Sequence, residues 1–200
     1  MTTPHDPRTT DLLRQALAES GERITLEQFL ASLGERSYGF LFLLLALPNF
    51  IPIPVGIGGL MGLLIILIGG QLLCGMQRPW LPRRVREHAF ERKTVERFLA
   101  RMTPVFSRLE RICAPRLENL TKPPFSRLTG LLLVVIGILL SLPIPFTNYP
   151  FGLIVLLYAV ALIERDGALL IVVWVATLGI AIACVSFTDV VVAKMHHWIG

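Results

Sequence analysis

A proline-rich break inside an uncharged apolar stretch constrains this fold more than any other feature of the chain. The break holds three prolines, Pro48, Pro52 and Pro54. Residues 38–47 before it and 55–77 after it contain no charged side chain. Lipid offers no hydrogen-bond partners, so non-helical backbone at membrane depth must be buried in protein or line a cavity. The stretch therefore predicts a broken helical segment that protein surrounds within a membrane.

The same pattern returns 91 residues later. Arg36, Gly39, Pro52 and Pro54 align with Arg127, Gly130, Pro143 and Pro145, and apolar residues 40–46 align with 131–137. Paired, interrupted hydrophobic segments in two halves of a chain are typical of transporter folds that bind a substrate between the halves. The alignment predicts an internal repeat whose two broken segments meet.

Charge is distributed very unevenly along the chain. Of 19 Lys and Arg residues, 13 lie between Arg78 and Arg127, together with five acids. Basic segments stay on the cytoplasmic side of a membrane, so residues 78–127 are predicted to be cytoplasmic. No nucleic-acid recognition motif accompanies these arginines, which argues against nucleic-acid binding. The first 37 residues lack the short apolar core of a secretory signal, so the first apolar segment is predicted to be retained.

The predicted fold class is an all-α integral membrane protein. Two related proline-broken hairpins are followed by a further transmembrane helix, and a basic helical insertion separates the hairpins. The predicted segments are residues 1–37 (N-terminal amphipathic helices), 38–77 (first hairpin), 78–127 (insertion), 128–163 (second hairpin) and 164–200 (last transmembrane helix and tail).

The lengths of the apolar runs leave two topologies open for each hairpin. Residues 38–53 would reach about 24 Å as a helix, short of the ~30 Å hydrocarbon core. Residues 55–76 would reach about 33 Å, which is enough to span. Each hairpin is therefore either two tight spans or a re-entrant segment followed by a span.

Local signals predict amphipathic helices outside the hairpins. The capping box Thr25-Leu26-Glu27-Gln28 predicts a helix start, and that helix should end near Gly34. A further short helix is predicted over residues 10–19. Apolar positions at helical spacing over residues 95–117 predict a helix that lies on anionic lipid headgroups or packs on a partner.

The candidate site is built from the two breaks and from polar residues near the apolar segments. Half-helix N-termini carry partial positive charge and N–H groups without partners, so two of them facing each other would favour an anion. The predicted substrate-binding residues are Asn49, Pro52, Pro54, Gln71, Pro143, Pro145, Asn148, Arg165 and Asp166. Arg36 and Arg127 are predicted to steer charge, although arginines near helix ends often simply reach the lipid interface. Asn148 and the Arg165-Asp166 pair can also be read as turn residues.

No catalytic signature accompanies these residues. The sequence has no nucleotide-binding loop and no zinc-protease motif, and all four histidines lie outside the apolar segments. The three cysteines are far apart and suggest apolar fillers rather than ligands. We therefore predict no catalytic residue, no metal site and no cofactor. An enzyme acting on lipid-linked sugars would depend on Glu35, Glu164 and Asp166.

Several short motifs in order resemble the ExoD family of bacterial exopolysaccharide-synthesis proteins. They include Ala46-Leu47-Pro48-Asn49, Gln71-Leu72, Pro79-Trp80-Leu81-Pro82, Leu142-Pro143-Ile144-Pro145 and Arg165-Asp166-Gly167, within a match from about Thr25 to about Ala183. The resemblance implies a multi-pass inner-membrane protein linked to exopolysaccharide production. It transfers no catalytic residue.

Two functions are weighed against each other. The first is binding or moving an anionic lipid-linked intermediate, or another anion, in a bilayer that contains anionic lipids. A homodimer is expected because a few short spans can hardly enclose a large site alone. The alternative is a non-catalytic membrane scaffold that recruits polysaccharide-synthesis partners through residues 78–127.

Overall fold

The structure is a computed structural model that describes residues 23–50, 57–86, 89–91, 93, 96–97, 100, 117–142 and 148–199. Within these ranges the chain is largely helical, in agreement with the all-α part of the predicted fold class. The helices are α1 (Leu26–Leu33), α2 (Ser37–Ala46), α3 (Ile57–Leu73), α4 (Arg83–Arg86), α5 (Phe125–Ser141), α6 (Asn148–Ile163) and α7 (Gly167–Ile199). Short 3-10 turns cover Gly34–Arg36, Leu47–Phe50 and Glu118–Thr121.

The capping box at the start of α1 is confirmed. The Thr25 hydroxyl accepts the backbone N–H of Gln28 at 3.3 Å, and the Gln28 side chain accepts the N–H of Thr25 at 3.2 Å. These two bonds satisfy donors that the first helical turn leaves unpaired. Gly34, at φ +56°, follows α1, so this helix also ends where the sequence predicts.

One feature of the fold departs from the all-helical expectation. Strand β1 (Arg23–Thr25) pairs antiparallel with strand β2 (Ala89–Glu91), with Ile24 opposite Phe90. The ribbon joins the chain before α1 to the segment after α4. Three residues are too few to show the alternation of apolar and polar side chains that predicts a strand, so the sequence did not predict this ribbon.

The 91-residue offset of the sequence recurs in the helix boundaries. Helices α3 and α6 begin at Ile57 and Asn148, which are 91 residues apart. The 3-10 turn that continues α2 ends at Phe50, and α5 ends at Ser141, again 91 residues apart. The two halves therefore follow one structural plan: a first helix, a break and a second helix.

The main helix pairs form between the halves rather than within them. Helix α3 of the first half packs along α5 of the second, and α2 packs along α6. Both pairs are antiparallel, because contact points advance along one helix as they recede along the other. Gly39 lies against Ile163 in one pair, and Gly130 lies against Leu72 in the other. These two contacts are equivalent under the repeat.

Four helix ends meet at each end of this bundle. We call one the basic end, where Gly34, Tyr38, Leu72, Ser126 and Leu162 line one cavity. We call the other the asparagine end, where Asn49 contacts Gly152 and Asn148 contacts Gly58. Helices of 16 or 17 residues such as α3 and α6 separate the two ends by roughly 25 Å.

Helix α7 packs against both halves. The Tyr158 hydroxyl on α6 is 2.9 Å from the Thr177 hydroxyl, and the Trp174 indole donates to Thr129 of α5 at 3.2 Å. Residues Gly167–Cys184 of α7 have a mean hydropathy of 2.5, and this helix is long and apolar enough to cross a membrane. The other apolar helices among the described residues are shorter.

Several sequence predictions lie outside the described residues. They are the prolines Pro52, Pro54, Pro143 and Pro145, the helix over residues 10–19, and most of the amphipathic helix over residues 95–117. The division of the chain into five segments also stays a prediction.

Candidate functional site

Asn49 is the most deeply buried polar residue at the asparagine end, with 4% of its surface exposed. Its Nδ2 donates to the backbone oxygens of Leu45 at 2.8 Å and Ala46 at 3.4 Å. These carbonyls belong to the last turn of α2, whose C=O groups lack the partners of an α-helix interior. The amide therefore caps α2, and these two acceptors fix which side-chain atom is nitrogen.

The oxygen of the Asn49 side-chain amide does not take part in capping α2. Asn49 Oδ1 is buried and accepts no hydrogen bond from any described residue. A carbonyl oxygen left in this state costs about 1–3 kcal/mol relative to one that is paired. It is an acceptor suited to a hydroxyl or N–H donor brought by a ligand or by water.

Asn148, in the second half of the chain, lies at the same end of the bundle as Asn49. It is the first residue of α6 and is half-buried, and its carboxamide packs directly on Gly58 in the first turn of α3. A Cβ at Gly58 would lie 2.9 Å from Asn148 Cγ, so a side chain here would displace the amide. The contact therefore brings the N-termini of α3 and α6 together.

A second glycine makes room for Asn49. A Cβ added to Gly152 would lie 2.8 Å from Asn49 Cβ, closer than real side chains allow. Each asparagine thus packs on a glycine of the opposite half, Asn49 on α6 and Asn148 on α3. The sequence shows both glycines, but it does not show that they receive these amides.

Gln71, a predicted substrate-binding residue, lies at the other end of the bundle. Its Oε1 accepts the Trp80 backbone N–H at 2.6 Å, and its Nε2 donates to the Trp80 carbonyl at 3.1 Å. The side chain thereby ties the end of α3 to the turn that contains Trp80. It lies about 20 Å along α3 from Gly58, so the structure does not bring it to Asn148.

Asp166 caps a helix. Its Oδ1 accepts the backbone N–H groups of Ala168 at 2.9 Å and Leu169 at 3.1 Å, in the first turn of α7. The residue is 6% exposed. These bonds use the carboxylate as an N-cap, so the turn interpretation explains its position.

Arg165 precedes that cap with φ +53°, in the left-handed region that side chains seldom adopt. It lines the cavity at the basic end, together with Tyr38, Arg78 and Lys122. Arg165 therefore lies far from Asn49 and Asn148. The sequence interpretation missed the contribution of Tyr38, Arg78 and Lys122, which come from three separate segments.

The two predicted steering arginines are not alike. Arg36 is buried, with 7% of its surface exposed, whereas Arg127 is exposed. The Arg127 guanidinium lies over Gly75, 3.2 Å from where a Cβ would be. Both belong to the basic end, at the start of the first helix of each half.

The described residues contain no group of three His, Cys, Asp or Glu side chains placed to hold a metal ion. The asparagine end instead offers two carboxamides and two helix N-termini in an uncharged setting. The basic end offers cations around a cavity. These are binding arrangements for polar or anionic groups.

Comparison with known proteins gives a consistent assignment. The family model described as "Exopolysaccharide synthesis, ExoD" matches residues 9–186. The chain is 33% identical over 152 residues to Protein ExoD of Rhizobium meliloti, a match that covers 74% of this chain and 63% of that protein. It is 29% identical over 151 residues to an uncharacterized protein of Synechocystis sp., covering 74% of this chain and 71% of that protein. No solved structure matches the chain significantly.

Proposed function

Because the chain belongs to the ExoD family of exopolysaccharide-synthesis proteins, we propose that it serves that synthesis as an integral protein of the bacterial inner membrane. The matched region spans less than two thirds of the Rhizobium protein. The molecular activity proposed below therefore rests on this chain's own residues.

Exposed apolar surface supports the membrane location. Of the window Gly167–Cys184 in α7, 28% is buried by the rest of the protein. Val172, Val175 and Ile182 are each more than 60% exposed. A core helix of a soluble protein would bury such residues, whereas lipid accepts them without cost. Leu60, Leu63 and Leu67 form a similar exposed row on α3.

Charge placement supports an orientation. Cations such as Arg78, Lys122 and Arg165 gather at the basic end, and residues 128–163 carry no charge. By the positive-inside rule the basic end faces the cytoplasm. Helix α7 starts at this end, so its C-terminus is expected on the opposite side of the membrane.

Helix length favours hairpins that enter the membrane and return to the same face, so that neither arm of a hairpin is a full span. Helices α3 and α6 have 17 and 16 residues, about 25 Å each, and α2 with its 3-10 turn is shorter. A perpendicular span needs about 20 residues. Both hairpins then enter from the cytoplasmic face, and the asparagine end lies inside the hydrocarbon region.

At that depth the asparagine end is proposed to hold the headgroup of an anionic lipid-linked sugar as the lipid moves. The crossing of the two halves carries this proposal: Asn148 lies against Gly58, so two helix N-termini meet where no charged side chain is present. Helix N-termini stabilise a phosphate through backbone N–H groups. The buried Oδ1 of Asn49 would accept a sugar hydroxyl.

A homodimer belongs to the same proposal. The asparagine end of one copy offers few polar groups, and a saccharide needs more contacts than two carboxamides provide. The exposed leucine row on α3 is adjacent to this end and would pack on a second copy.

Reconstitution tests the transport function. Proteoliposomes would carry a fluorescent polyprenyl-diphosphate sugar, and a membrane-impermeant quencher would report which leaflet holds it. The protein should accelerate exchange between the leaflets, and Asn148→Ala and Gly58→Ala should abolish most of that acceleration. Gly59→Ala is the matched control, because a Cβ there would meet its nearest neighbour at 3.9 Å. Exchange at the protein-free rate, or equal rates in all variants, would contradict the proposal.

The scaffold function remains a second candidate because α3 and α7 expose apolar rows and Trp80 is 60% exposed. A scaffold would hold its partners without moving lipid. It would be favoured if Asn148→Ala kept exopolysaccharide production in cells while Leu63→Ser lost it.

A further inference from the structure

The basic end contains a cavity of about 320 Å³ between the two halves. It lies where the first helices of both halves begin and the second helices end. Gly34 and Tyr38 line it from the first half, and Ser126 and Leu162 line it from the second. Cavities of about this volume are at the lower end of those that bind small ligands.

The charge around this cavity has one sign. Arg78, Lys122 and Arg165 line it, and no carboxylate is among its described lining residues. Asp166, which follows Arg165, is engaged in capping α7. Glu118 Oε2 lies 4.0 Å from Lys122 Nζ in a solvent-exposed pair. Such exposed pairs contribute little and are readily exchanged. Three cations gathered around one space attract an anion.

A buried hydroxyl belongs to one of the residues that line the cavity. Tyr38 is 3% exposed, and its buried hydroxyl has no hydrogen-bond partner among the described residues. Ser126 lines the same cavity. A buried hydroxyl without a partner costs free energy that a ligand oxygen would recover. This observation is independent of the charges and also favours an oxygen-rich ligand.

We propose that this cavity is a phosphate-binding site, with Arg78, Lys122 and Arg165 neutralising the anion and Tyr38 donating a hydrogen bond to it. Basic cavities between helices at the cytoplasmic surface suit phosphorylated headgroups. The phosphate belongs either to a membrane lipid or to a soluble phosphorylated compound, since both present the same group. The site is separate from the asparagine end, so it stands even if lipid movement is not observed.

The test uses the full-length protein purified in a neutral detergent. Binding is followed by tryptophan fluorescence, because Trp80 lies two residues from Arg78. One arm titrates inorganic phosphate and diphosphate. The other uses nanodiscs of phosphatidylcholine with or without phosphatidylglycerol. Saturable binding in the first arm identifies a soluble source, and binding in the second alone identifies a lipid headgroup.

Variants then assign the site. Arg78→Gln and Lys122→Gln should each weaken binding about tenfold, as expected for one charge-assisted hydrogen bond. Tyr38→Phe should weaken it several-fold. Arg83→Gln is the matched control, because it removes an exposed cation that does not line the cavity, and it should change binding less than twofold.

Two outcomes would overturn the assignment. One is the absence of saturable binding in both arms by a protein whose helical circular dichroism is intact. The other is an equal loss from Arg83→Gln and Arg78→Gln, which would indicate general surface charge. Neither outcome depends on lipid exchange, so failure here is distinguishable from failure of the proposed transport.

Discussion

The α3/α5 and α2/α6 pairs have equivalent contacts under the repeat, but side chains of different size pack in them. In the α3/α5 pair glycine faces glycine: a Cβ at Gly62 would lie 2.6 Å from the Gly137 oxygen, and one at Gly69 would lie 3.3 Å from the Gly130 oxygen. The α2/α6 pair instead carries bulky side chains such as Phe42 and Tyr158, which are fully buried.

This difference shows that the repeat determines which positions meet, whereas the size of the residues determines how closely the helices approach. The repeat places equivalent contacts, Gly39 on Ile163 and Gly130 on Leu72, at the same height in both pairs. Small residues then allow the α3 and α5 backbones to approach closely, as in many membrane helix pairs. The α2/α6 pair keeps one close contact near each end and depends on side-chain packing between them.

The largest expected effect tests the equivalent glycines. Gly130→Ala would place a Cβ 2.7 Å from the Gly69 oxygen and 2.9 Å from the Leu72 carbonyl carbon, so backbone must move. We expect it to lower the free energy of unfolding in detergent by roughly 1–3 kcal/mol. Gly39→Ala should cost less, because one of its close contacts is the Ile163 side chain.

Gly70→Ala is the control for both substitutions, since no atom lies within 4 Å of its Cβ position. It should leave stability unchanged or raise it slightly through helix propensity. Equal losses at Gly70 and Gly130 would show that the close approach of α3 and α5 does not contribute.

The next effect concerns the junction where the α2/α6 pair continues into α7. Asp166→Ala removes a buried N-cap that accepts two backbone N–H groups. It should lower the free energy of unfolding by about 0.5–2 kcal/mol. Asp166→Asn keeps an acceptor and should lose less. If both variants lost lipid-exchange activity at unchanged stability, Asp166 would have a role beyond capping.

A smaller effect compares the two attachments of α7. Tyr158→Phe removes a buried hydrogen bond to Thr177, on the side of the α2/α6 pair. The expected loss is about 0.6 kcal/mol, typical of hydrogen bonds between membrane helices. Trp174→Phe removes the longer bond to Thr129 on α5, which is partly exposed. Phe is also smaller than Trp, so the loss of packing must be subtracted first. The remaining hydrogen-bond loss in Trp174→Phe should be smaller than the loss in Tyr158→Phe. A larger loss in Trp174→Phe would show that α7 is held mainly by the α3/α5 pair.

The smallest expected effect is at Tyr38, on the same pair as Tyr158. Its hydroxyl makes no hydrogen bond to a described residue, so Tyr38→Phe breaks none there. Unfolding in detergent without phosphate should show no loss of stability, or a slight gain. A loss as large as that of Tyr158→Phe would mean that the hydroxyl already has a structural partner.

Local features of the fold were predicted well. The capping box at Thr25 and the helix end at Gly34 are confirmed, because a cap depends on residues within one turn. The apolar run over residues 55–76 became α3 (Ile57–Leu73), and the run beginning at residue 168 became α7, which extends to Ile199. The ExoD resemblance is also confirmed. The short β ribbon was not predicted.

The predicted site residues divide between the two ends of the bundle, and their role in binding stays a prediction. Asn49 and Asn148 lie at one end, each against a glycine of the opposite half, while Gln71, Arg165 and Asp166 lie at the basic end. Nothing in the neighbourhood of Gln71 reveals that its amide binds the backbone of Trp80. Trp80 follows Gln71 by nine residues, and the bond depends on how the turn after α3 folds back, which helical spacing does not predict.

The sequence by itself determined that the chain has two uncharged, proline-broken halves with the same spacing, a basic segment between them and a long apolar helix after them. Those properties follow from composition and local backbone chemistry. Tertiary structure alone decided that each helix pairs with the opposite half, and that Tyr38, Arg78, Lys122 and Arg165 surround one cavity. A helix that is apolar on every side has no amphipathic pattern from which its packing partner could be predicted. The pairing instead depends on close backbone approach at glycines, which only the tertiary structure shows.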